Sequence, residues 1–464
     1  PAVQAFTESG PRQLAITDLV IDYSAKGGKT TAADYNEETP SLQLQRSTTG
    51  VQKSGAESFV YPANATTMDE TDRVARLRME ATEWSQERFL GSSNCVALTP
   101  GFQVDVERHY RSDFNGPLHL LVVKHVANQA IRETGNPFSY GNQFQAIKKD
   151  VPYRPLLVTP RPYIVGTQHA VVVGPAGEEI FTDKYGRVKV QFFWDREGKK
   201  DDNSSCWVRV GHMVAGKGWG QVHIPRIGQE VLVAFYEGDP DRPVIIGELY
   251  NAEQMPPYGL PANKSQSGFK SRGTLKGGND NFNELRFEDK KGSEEVYFHA
   301  EKDMKVVVEH DRTTDIQNDE TKTVKNKETI TIKDGDQTLT LEKGNQSIII
   351  KMGNRTVELQ TGNDELKLKM GNQKITLDVG NLETKLSLGN VTTKAALGKV
   401  ETEAMQGIEL KVGQSSLKVD QMGVTIKGMM ISIEGQVQTQ VKGLMTQVNG
   451  DAMLMAKGGI TMIN

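Results

Sequence analysis

The sequence has 464 residues, which is enough for about three domains. Its 55 Lys and Arg nearly balance its 59 Asp and Glu, so charge gives no reason to expect nucleic acid or an anionic membrane as a binding partner. Hydrophobic residues make up only 37% of the chain, which favours an elongated or oligomeric protein over one large globular core.

Targeting and redox signals are sparse. No run of about 18 apolar residues exists, so the sequence predicts no transmembrane helix. We expect a protein that uses no signal peptide, but because the chain begins at Pro1 and not at Met, the absence of one here shows little. The two cysteines, Cys95 and Cys206, form no CxxC pair, which argues against a zinc or redox motif.

The first strong element is a helix predicted over residues 68–88. Thr67 and Glu70 have the spacing of a capping box at its start. A helical stripe that we expect to face the core contains Val74, Leu77, Ala81, Trp84 and Arg88. Strands are predicted after Gly91, including residues 102–106 and 118–123.

Residues 165–250 alternate between short apolar runs and turns. We predict strands at 171–173, 187–192, 206–210, 220–224, 230–235 and 244–246. Five or six strands in about 85 residues are typical of a small barrel, and we predict an OB-fold. OB-folds often bind single strands of nucleic acid, but such a groove should be basic, so the aromatic residues here are assigned to the core and to domain interfaces.

This region carries a family resemblance. The runs 183–195 (DKYGRVKVQFFWD), 225–235 (PRIGQEVLVAF) and 237–243 (EGDPDRP) resemble VgrG, the spike of bacterial type VI secretion systems, which itself resembles the hub and needle of contractile phage tails. Ser93-Asn94, Pro100-Gly101 and the run 121–125 are similar to the second half of the VgrG hub domain. The resemblance implies a partial hub over residues 1–164, followed by the OB-fold over 165–250.

Residues 251–284 are predicted to be a linker or neck, because they contain Pro256-Pro257, Pro261 and Gly277-Gly278. Related phage needles carry a lysozyme domain at this place. An interval of some thirty residues is too short to fold as a hydrolase with its own core.

The end of the chain, residues 285–464, is dominated by a repeat. Nine glycines lie nine residues apart between Gly335 and Gly407, and six of them are each followed by Asn. We assign these six as the corners of the repeat: Gly344, Gly353, Gly362, Gly371, Gly380 and Gly389. Apolar residues stand mostly at the fourth, sixth and eighth positions after each glycine, with polar residues between them. Each repeat is therefore predicted to be one strand and one sharp Gly-Asn corner.

One chain cannot close such a structure. Three inward side chains stabilise a repeat by about 2 kcal/mol each, while ordering each residue's backbone costs about 1–2 kcal/mol. Three copies around one axis would bury the apolar stripes and pair every strand edge. The predicted fold class is therefore mainly β, with a partial α+β hub, an OB barrel and an intertwined trimeric β-helix needle.

Two other classes stay open. A calcium-binding β-roll also has a nine-residue period, but it needs carboxylates in each repeat, and only Asp364 and Asp378 are aspartates between Gly344 and Gly407. The second alternative is an enzymatic site in the hub. The eight histidines show no metal-binding spacing, although the even gap between His119 and His125 predicts that they share a strand face. No GxSxG or phosphate-binding loop is present, so we expect no catalytic residue, metal or cofactor.

The resemblance implies a homotrimeric spike that is assembled in the bacterial cytoplasm and secreted. Its base would rest on the ring-forming tube protein, and its needle would cross a target membrane. A PAAR-repeat protein bearing effectors would cap the tip. Glycine spacing becomes irregular after Gly407, charge falls and Met rises, so we expect an apolar tip. We assign the cap platform to Ile460, Met462, Ile463 and Asn464, because a prism of strands ends in open edges that need covering.

Overall fold

The computed structural model describes residues 3–5, 14–51, 54–129 and 138–462. The chain divides into two compact units, Pro1–Asn318 and Asp319–Asn464. No helix in the described ranges combines the length and apolar character needed to cross a bilayer.

The first part of the first unit contains nine strands and one long helix. In chain order these are β1 Val3–Ala5, β2 Ala15–Tyr23, β3 Lys29–Asp34, β4 Leu44–Thr49, β5 Glu57–Val60, α1 Met68–Glu83, β6 Glu87–Ser93, β7 Gln103–Glu107, a short 3-10 helix Ser112–Phe114, β8 Gly116–Asn128 and β9 Ser139–Lys148. Six strands close a barrel in the order β1-β2-β6-β9-β8-β7, because β1 pairs with both β2 and β7. Phe89, Leu120 and Phe144 lie in its core.

Helix α1 packs beside the smaller sheet β4-β3-β5. The predicted capping box is present: the Thr67 side chain accepts from the Glu70 amide, and the Glu70 carboxylate accepts from the Thr67 amide. The predicted end at 88 was wrong, because residues 87–93 alternate as strand β6 with Phe89 buried. The predicted stripe was only partly right: Ala81 is buried and Val74 packs against the core, but Leu77 and Trp84 are only half-buried. The other buried residues of the helix are Thr71, Ala75 and Met79.

Strands of the second sheet follow along the chain: β10 Gln168–Val173, β11 Lys189–Phe192, β12 Arg209–Val210, β13 Ala215–Gly216, β14 Trp219–Gly220, β15 Glu230–Phe235, a short 3-10 helix Tyr236–Gly238 and β16 Pro243–Leu249. Five of them form a sheet in the order β11-β10-β15-β16-β12. Val188 and Val208 exchange two backbone hydrogen bonds, and each lies directly before one of the edge strands β11 and β12. This bridge joins the two edges of the sheet, which closes around a core rich in buried valines.

Two strand predictions in this sheet needed correction. In the predicted strand 220–224 only Gly220 is in a strand, because Trp219-Gly220 forms a tight hairpin with β13 and Pro225 cannot donate to a ladder. In the predicted strand 206–210 only Arg209–Val210 is regular, and Val208 makes the closing bridge.

The interval predicted as linker contains ordered structure. Strands β17 Gln266–Lys270, β18 Glu284–Glu288 and β19 Glu295–His299 form an antiparallel sheet, which we call the neck sheet. The prolines at 256, 257 and 261 all precede β17, so they mark a connection that ends at residue 265. Strand β17 escaped detection because it contains Gly268 and pairs with residues about 18 positions away, which no local pattern shows.

The end of the first unit and the beginning of the second unit lack strands. In residues 300–406, all of which the structure describes, there is no β-strand, and bends recur at the glycines of the repeat. We call residues 319–406 the shaft. Strands β20 Gly407–Val412, β21 Ser415–Asp420 and β22 Gly423–Lys427 then form an antiparallel meander within one chain. The ninth glycine of the predicted repeat, Gly407, thus begins a strand and has no positive φ, so the regular repeat ends at Gly398.

Candidate functional site

The corners of the shaft have a backbone conformation that favours glycine. From Gly335 to Gly398, the eight repeat glycines have φ between 104° and 132°. A Cβ atom at Gly362 would meet nothing within 4 Å, so space does not demand glycine there. The backbone conformation demands glycine, because residues with a side chain rarely adopt such a positive φ. This is the geometry that the corner assignment requires.

The apolar stripe of the shaft is exposed in the single chain with the same profile in successive repeats. Leu366, Leu368 and Met370 are 67%, 51% and 93% exposed, and Ile375, Leu377 and Val379 are 65%, 48% and 96% exposed. Soluble monomers rarely leave a continuous apolar patch of this extent in water. The structure describes all of residues 319–406 and shows no strand pairing there. The backbone of the shaft therefore lacks the hydrogen-bonding partners that an extended strand needs.

The neck sheet presents a second apolar surface. On one face, cross-strand pairing places Phe269 beside Leu285 and Leu285 beside Phe298, while Phe287 lies beside Val296. Phe269, Val296 and Phe298 are each about two-thirds exposed. We call these five residues the neck face.

The opposite face of the neck sheet is polar and internally paired. The Arg286 guanidinium lies 3.0 Å from Glu295 and 3.7 Å from the buried Glu284, and it stacks over the Tyr297 ring at 4.6 Å. The Arg286 charge on this side therefore has acidic partners within the chain, whereas the neck face has no covering partner among the described residues.

A joint of ion pairs connects the hub-like part with the β10–β16 sheet. Arg187, which precedes β11, donates to Asp183 at 2.7 Å and to Glu38 at 3.2 Å. Burial alone would raise the pKa of the Asp183 carboxyl, but hydrogen bonds from the Arg187 backbone and side chain lower that pKa below its ordinary value. The carboxylate thus stays charged and holds the guanidinium toward the hub-like part.

The second contact of the joint uses Arg242, which donates to Asp34 Oδ1 at 3.1 Å and to the Tyr35 carbonyl at 3.2 Å. The Asp34 side chain is 1% exposed and also accepts from the Ala65 amide at 3.1 Å. Sequence reasoning missed this joint, because Asp34 and Arg242 are 208 residues apart. The only available signal was that Arg187 and Arg242 both stand in the runs that carry the family resemblance.

The histidine prediction was wrong in its geometry. A bulge in β8 between Leu120 and Val122 shifts the register, so His119 and His125 lie on opposite faces of the strand. His125 Nδ1 lies 2.5 Å from the Tyr140 hydroxyl, and His223 Nε2 lies 3.2 Å from Glu248. Within the described ranges no three His, Cys, Asp or Glu side chains converge in a way that could hold a metal ion.

The predicted cap platform is only partly described. Ile460 and Met462 are 86% and 87% exposed. Ile463 and Asn464 lie outside the described residues. The assignment of these four residues to a partner therefore stays a prediction.

Three family models match separate parts of the chain. Residues 2–131 match the phage tail baseplate hub, residues 178–250 match the type VI secretion system/phage-baseplate injector OB domain, and residues 267–386 match the bacteriophage T4 gp5 C-terminal trimerisation domain. The predicted fold class, mainly β with hub-like, OB and needle parts, is confirmed by these matches and by the strands described above.

Curated relatives align with a little over 60% of the chain. Type VI secretion system spike protein VgrG1b of Pseudomonas aeruginosa is 44% identical over 295 residues, which is 62% of this chain and 40% of the relative. Spike protein VgrG1c of the same organism is 43% identical over 293 residues, with the same two shares. The chain thus spans about 40% of the length of these relatives.

Solved structures give weaker matches. An Escherichia coli component of the type VI secretion system, described as similar to T4 tail proteins gp27 and gp5, aligns with 54% of this chain and 49% of its own at 22% identity and a TM-score of 0.32. A Francisella PdpA–VgrG complex aligns with 61% of this chain and 52% of its own at 8% identity and a TM-score of 0.37.

Proposed function

We propose that this chain, which is homologous to the VgrG spike proteins of type VI secretion systems, is a structural spike subunit that works as a homotrimer. The resemblance predicted from the sequence is confirmed by the 44% identity over 295 residues. The observation that carries the proposal is the shaft, whose apolar stripe is exposed and whose backbone has no strand partner among the residues that the structure describes.

Energetics favour three chains over one. Two or three apolar side chains per repeat would each stabilise the assembly by about 1.5–3 kcal/mol once buried. Winding three chains also gives each extended backbone a ladder partner on both sides, which removes exposed edges. Four of the five side chains of the neck face are exposed in the single chain, and the same association would cover them. The match of residues 267–386 to a trimerisation domain supports this number of chains.

The proposed role is mechanical. A rigid needle carried by a hub would be driven outward by the secretion apparatus, would cross a target membrane and would deliver effectors. No residue is assigned to catalysis in this proposal, and no cofactor or metal is required. The chain would leave the bacterial cytoplasm through the secretion system itself.

Two protein contacts belong to this role. The hub-like part would rest on the ring-forming tube protein. A PAAR-repeat protein with its effector cargo would cap Ile460, Met462, Ile463 and Asn464, because the exposed apolar side chains there need covering.

Sedimentation at micromolar concentration tests the proposal. We expect one species with three times the mass of the chain, and its mass should not change when calcium is removed with a chelator. The double variant Ile460→Glu, Met462→Glu should remain a trimer but lose binding to the cap protein, while Lys457→Glu, which lies before the platform, should bind normally. A monomer would refute the spike proposal, and a collapse on chelation would favour the calcium-binding alternative.

A further inference from the structure

The meander β20–β22 follows the shaft along the chain and forms a sheet that a single chain can pair by itself. Two tight turns connect its strands: Val412 pairs with Ser415, and Asp420 pairs with Gly423. Gly413 and Gly423 lie at these turns with φ of 56° and 139°. The glycine spacing here no longer follows the nine-residue repeat, so this segment is a distinct element of the second unit.

The two faces of the meander differ completely in polarity. One face has the rows Ile408–Val419–Val424 and Leu410–Leu417–Ile426, which are apolar throughout. We call these six residues the clasp face. The other face has the rows Glu409–Lys418–Thr425 and Lys411–Ser416–Lys427, and Lys418 forms an ion pair with Asp420 at 2.8 Å.

The clasp face is uncovered within the described chain. Leu410 and Val424 are 63% and 64% exposed, and Leu417, at the centre of its row, is still 36% exposed. A contiguous exposed apolar face of this kind on a folded chain marks an interaction surface. Burial of the six side chains would contribute substantially, so a partner for this surface is strongly favoured.

The occupant that fits is the same face of two other copies. The six side chains of the clasp face are all apolar, and only Ser415, paired with Val412 at the turn end of the same face, adds a hydroxyl group. The clasp face therefore favours an apolar surface, and it is complementary to itself. The last corner of the shaft, Gly398, lies only nine residues before Gly407. Nine extended residues span at most about 30 Å, so three chains wound together in the shaft would hold three clasp faces within that distance of their last corners.

A nine-residue repeat poses a register problem. If one chain slips by nine residues, each corner glycine is replaced by another corner glycine, and apolar positions still meet apolar positions. Only the pairing of one repeat at each end is lost. Register is weakly specified wherever the pattern repeats, and natural assemblies fix it with an element that breaks the repeat.

We propose that the clasp faces of three chains pack together and thereby set the register of the shaft. This inference rests on the trimer proposed above. Because the meander occurs once in the repeat region, its three copies can meet in only one alignment. A slip of nine residues would then separate the clasp faces and expose them.

Crosslinking of trimers assembled from a mixture of unlabelled and isotope-labelled chains tests the clasp. A carbodiimide joins neighbouring Lys and carboxylate side chains, and mass spectrometry identifies pairs between chains. The wild type should give one set of shaft pairs. Leu417→Glu, which places a charge in the centre of the clasp face, should add a second set in which one partner is displaced by nine residues.

Ser416→Glu is the matched control. It introduces the same charge at the neighbouring position, but on the polar face between Lys411 and Lys427, so the single set of pairs should remain. If Leu417→Glu does not assemble, Leu417→Ala provides the same readout with a smaller perturbation. Trimers of the Leu417 variants with one unshifted set would overturn the clasp alone, whereas a monomeric wild type would overturn the trimer itself.

Discussion

Gly268 offers the sharpest test of the neck sheet. It pairs with Arg286 in the centre of the β17–β18 ladder. A Cβ atom there would lie 2.3 Å from the Leu285 carbonyl oxygen and 2.8 Å from the Arg286 Cα. Both atoms belong to the backbone, so no rotamer change relieves the contact. Gly268→Ala must push the two strands apart, and overpacking together with a lost ladder hydrogen bond should cost about 3 kcal/mol.

Gly292→Ala is the control for this prediction. Gly292 lies in the β18–β19 connection of the same sheet with φ of 82°, and its Cβ would meet nothing within 4 Å. This change should therefore cost only the backbone strain, about 1 kcal/mol. The difference of about 2 kcal/mol corresponds to about 30-fold in an equilibrium constant.

Hydrogen–deuterium exchange of the full chain measures that difference. The amides of residues 266–270 and 284–288 report the opening of this ladder directly. We expect their protection to fall about 30-fold further in Gly268→Ala than in Gly292→Ala. Equal loss of protection in the two variants would refute the claim that close backbone approach, and not turn strain, makes glycine necessary at position 268.

Three further predictions concern the shaft and the joint. Gly362→Val should lower the thermal stability of the trimer, because valine is forced to φ near 104° at a cost of about 1–2 kcal/mol in each chain; an unchanged midpoint would contradict the corner assignment. Arg242→Met should lower the free energy of unfolding, measured in urea, by about 2–3 kcal/mol. This is less than for a fully buried ion pair, because two backbone amides still donate hydrogen bonds to Asp34 in the variant. A loss under about 1 kcal/mol, the usual value for a surface ion pair, would contradict this prediction. Asp183→Asn should destabilise the chain at pH 7 but progressively less below about pH 4. The pKa of the Asp183 carboxyl is lower in the folded than in the unfolded chain, so its charge contributes stability above the unfolded-state pKa, and this stability disappears as pH falls through the folded-state pKa. A constant loss of stability from pH 7 to pH 3 would exclude a charge effect.

The sequence predicted those elements whose pattern is local. Strand β15 was predicted with its observed bounds, Glu230–Phe235, because the buried Val231 and Val233 alternate with less buried neighbours. The capping box at Thr67 was readable for the same reason, since its partners are three residues apart.

Features that depend on distant partners could not be read in the same way. Strand β17 has little pattern of its own, and its pairing with β18 defines it. The register shift at Leu121 reversed the face of His125 without any sequence signal, because a bulge changes side-chain parity at one residue. The joint between Asp34 and Arg242 is a contact between domains, which a single sequence does not disclose.

Segments of the chain differ in whether their strands can pair within one chain. The β1-β2-β6-β9-β8-β7 barrel, the neck sheet and the meander find their ladder partners inside one chain, so each can begin to order before association. The shaft has no strand pairing within residues 319–406, so in the proposed trimer its ladder partners would come from other chains, and each repeat must first lose its conformational entropy. Self-paired sheets that precede and follow the shaft along the chain would bring three chains together through the neck face and the clasp face. In the proposed trimer, winding of the shaft would then be a local step between chains already in register, which would let a repeat with no preferred alignment of its own assemble in one register.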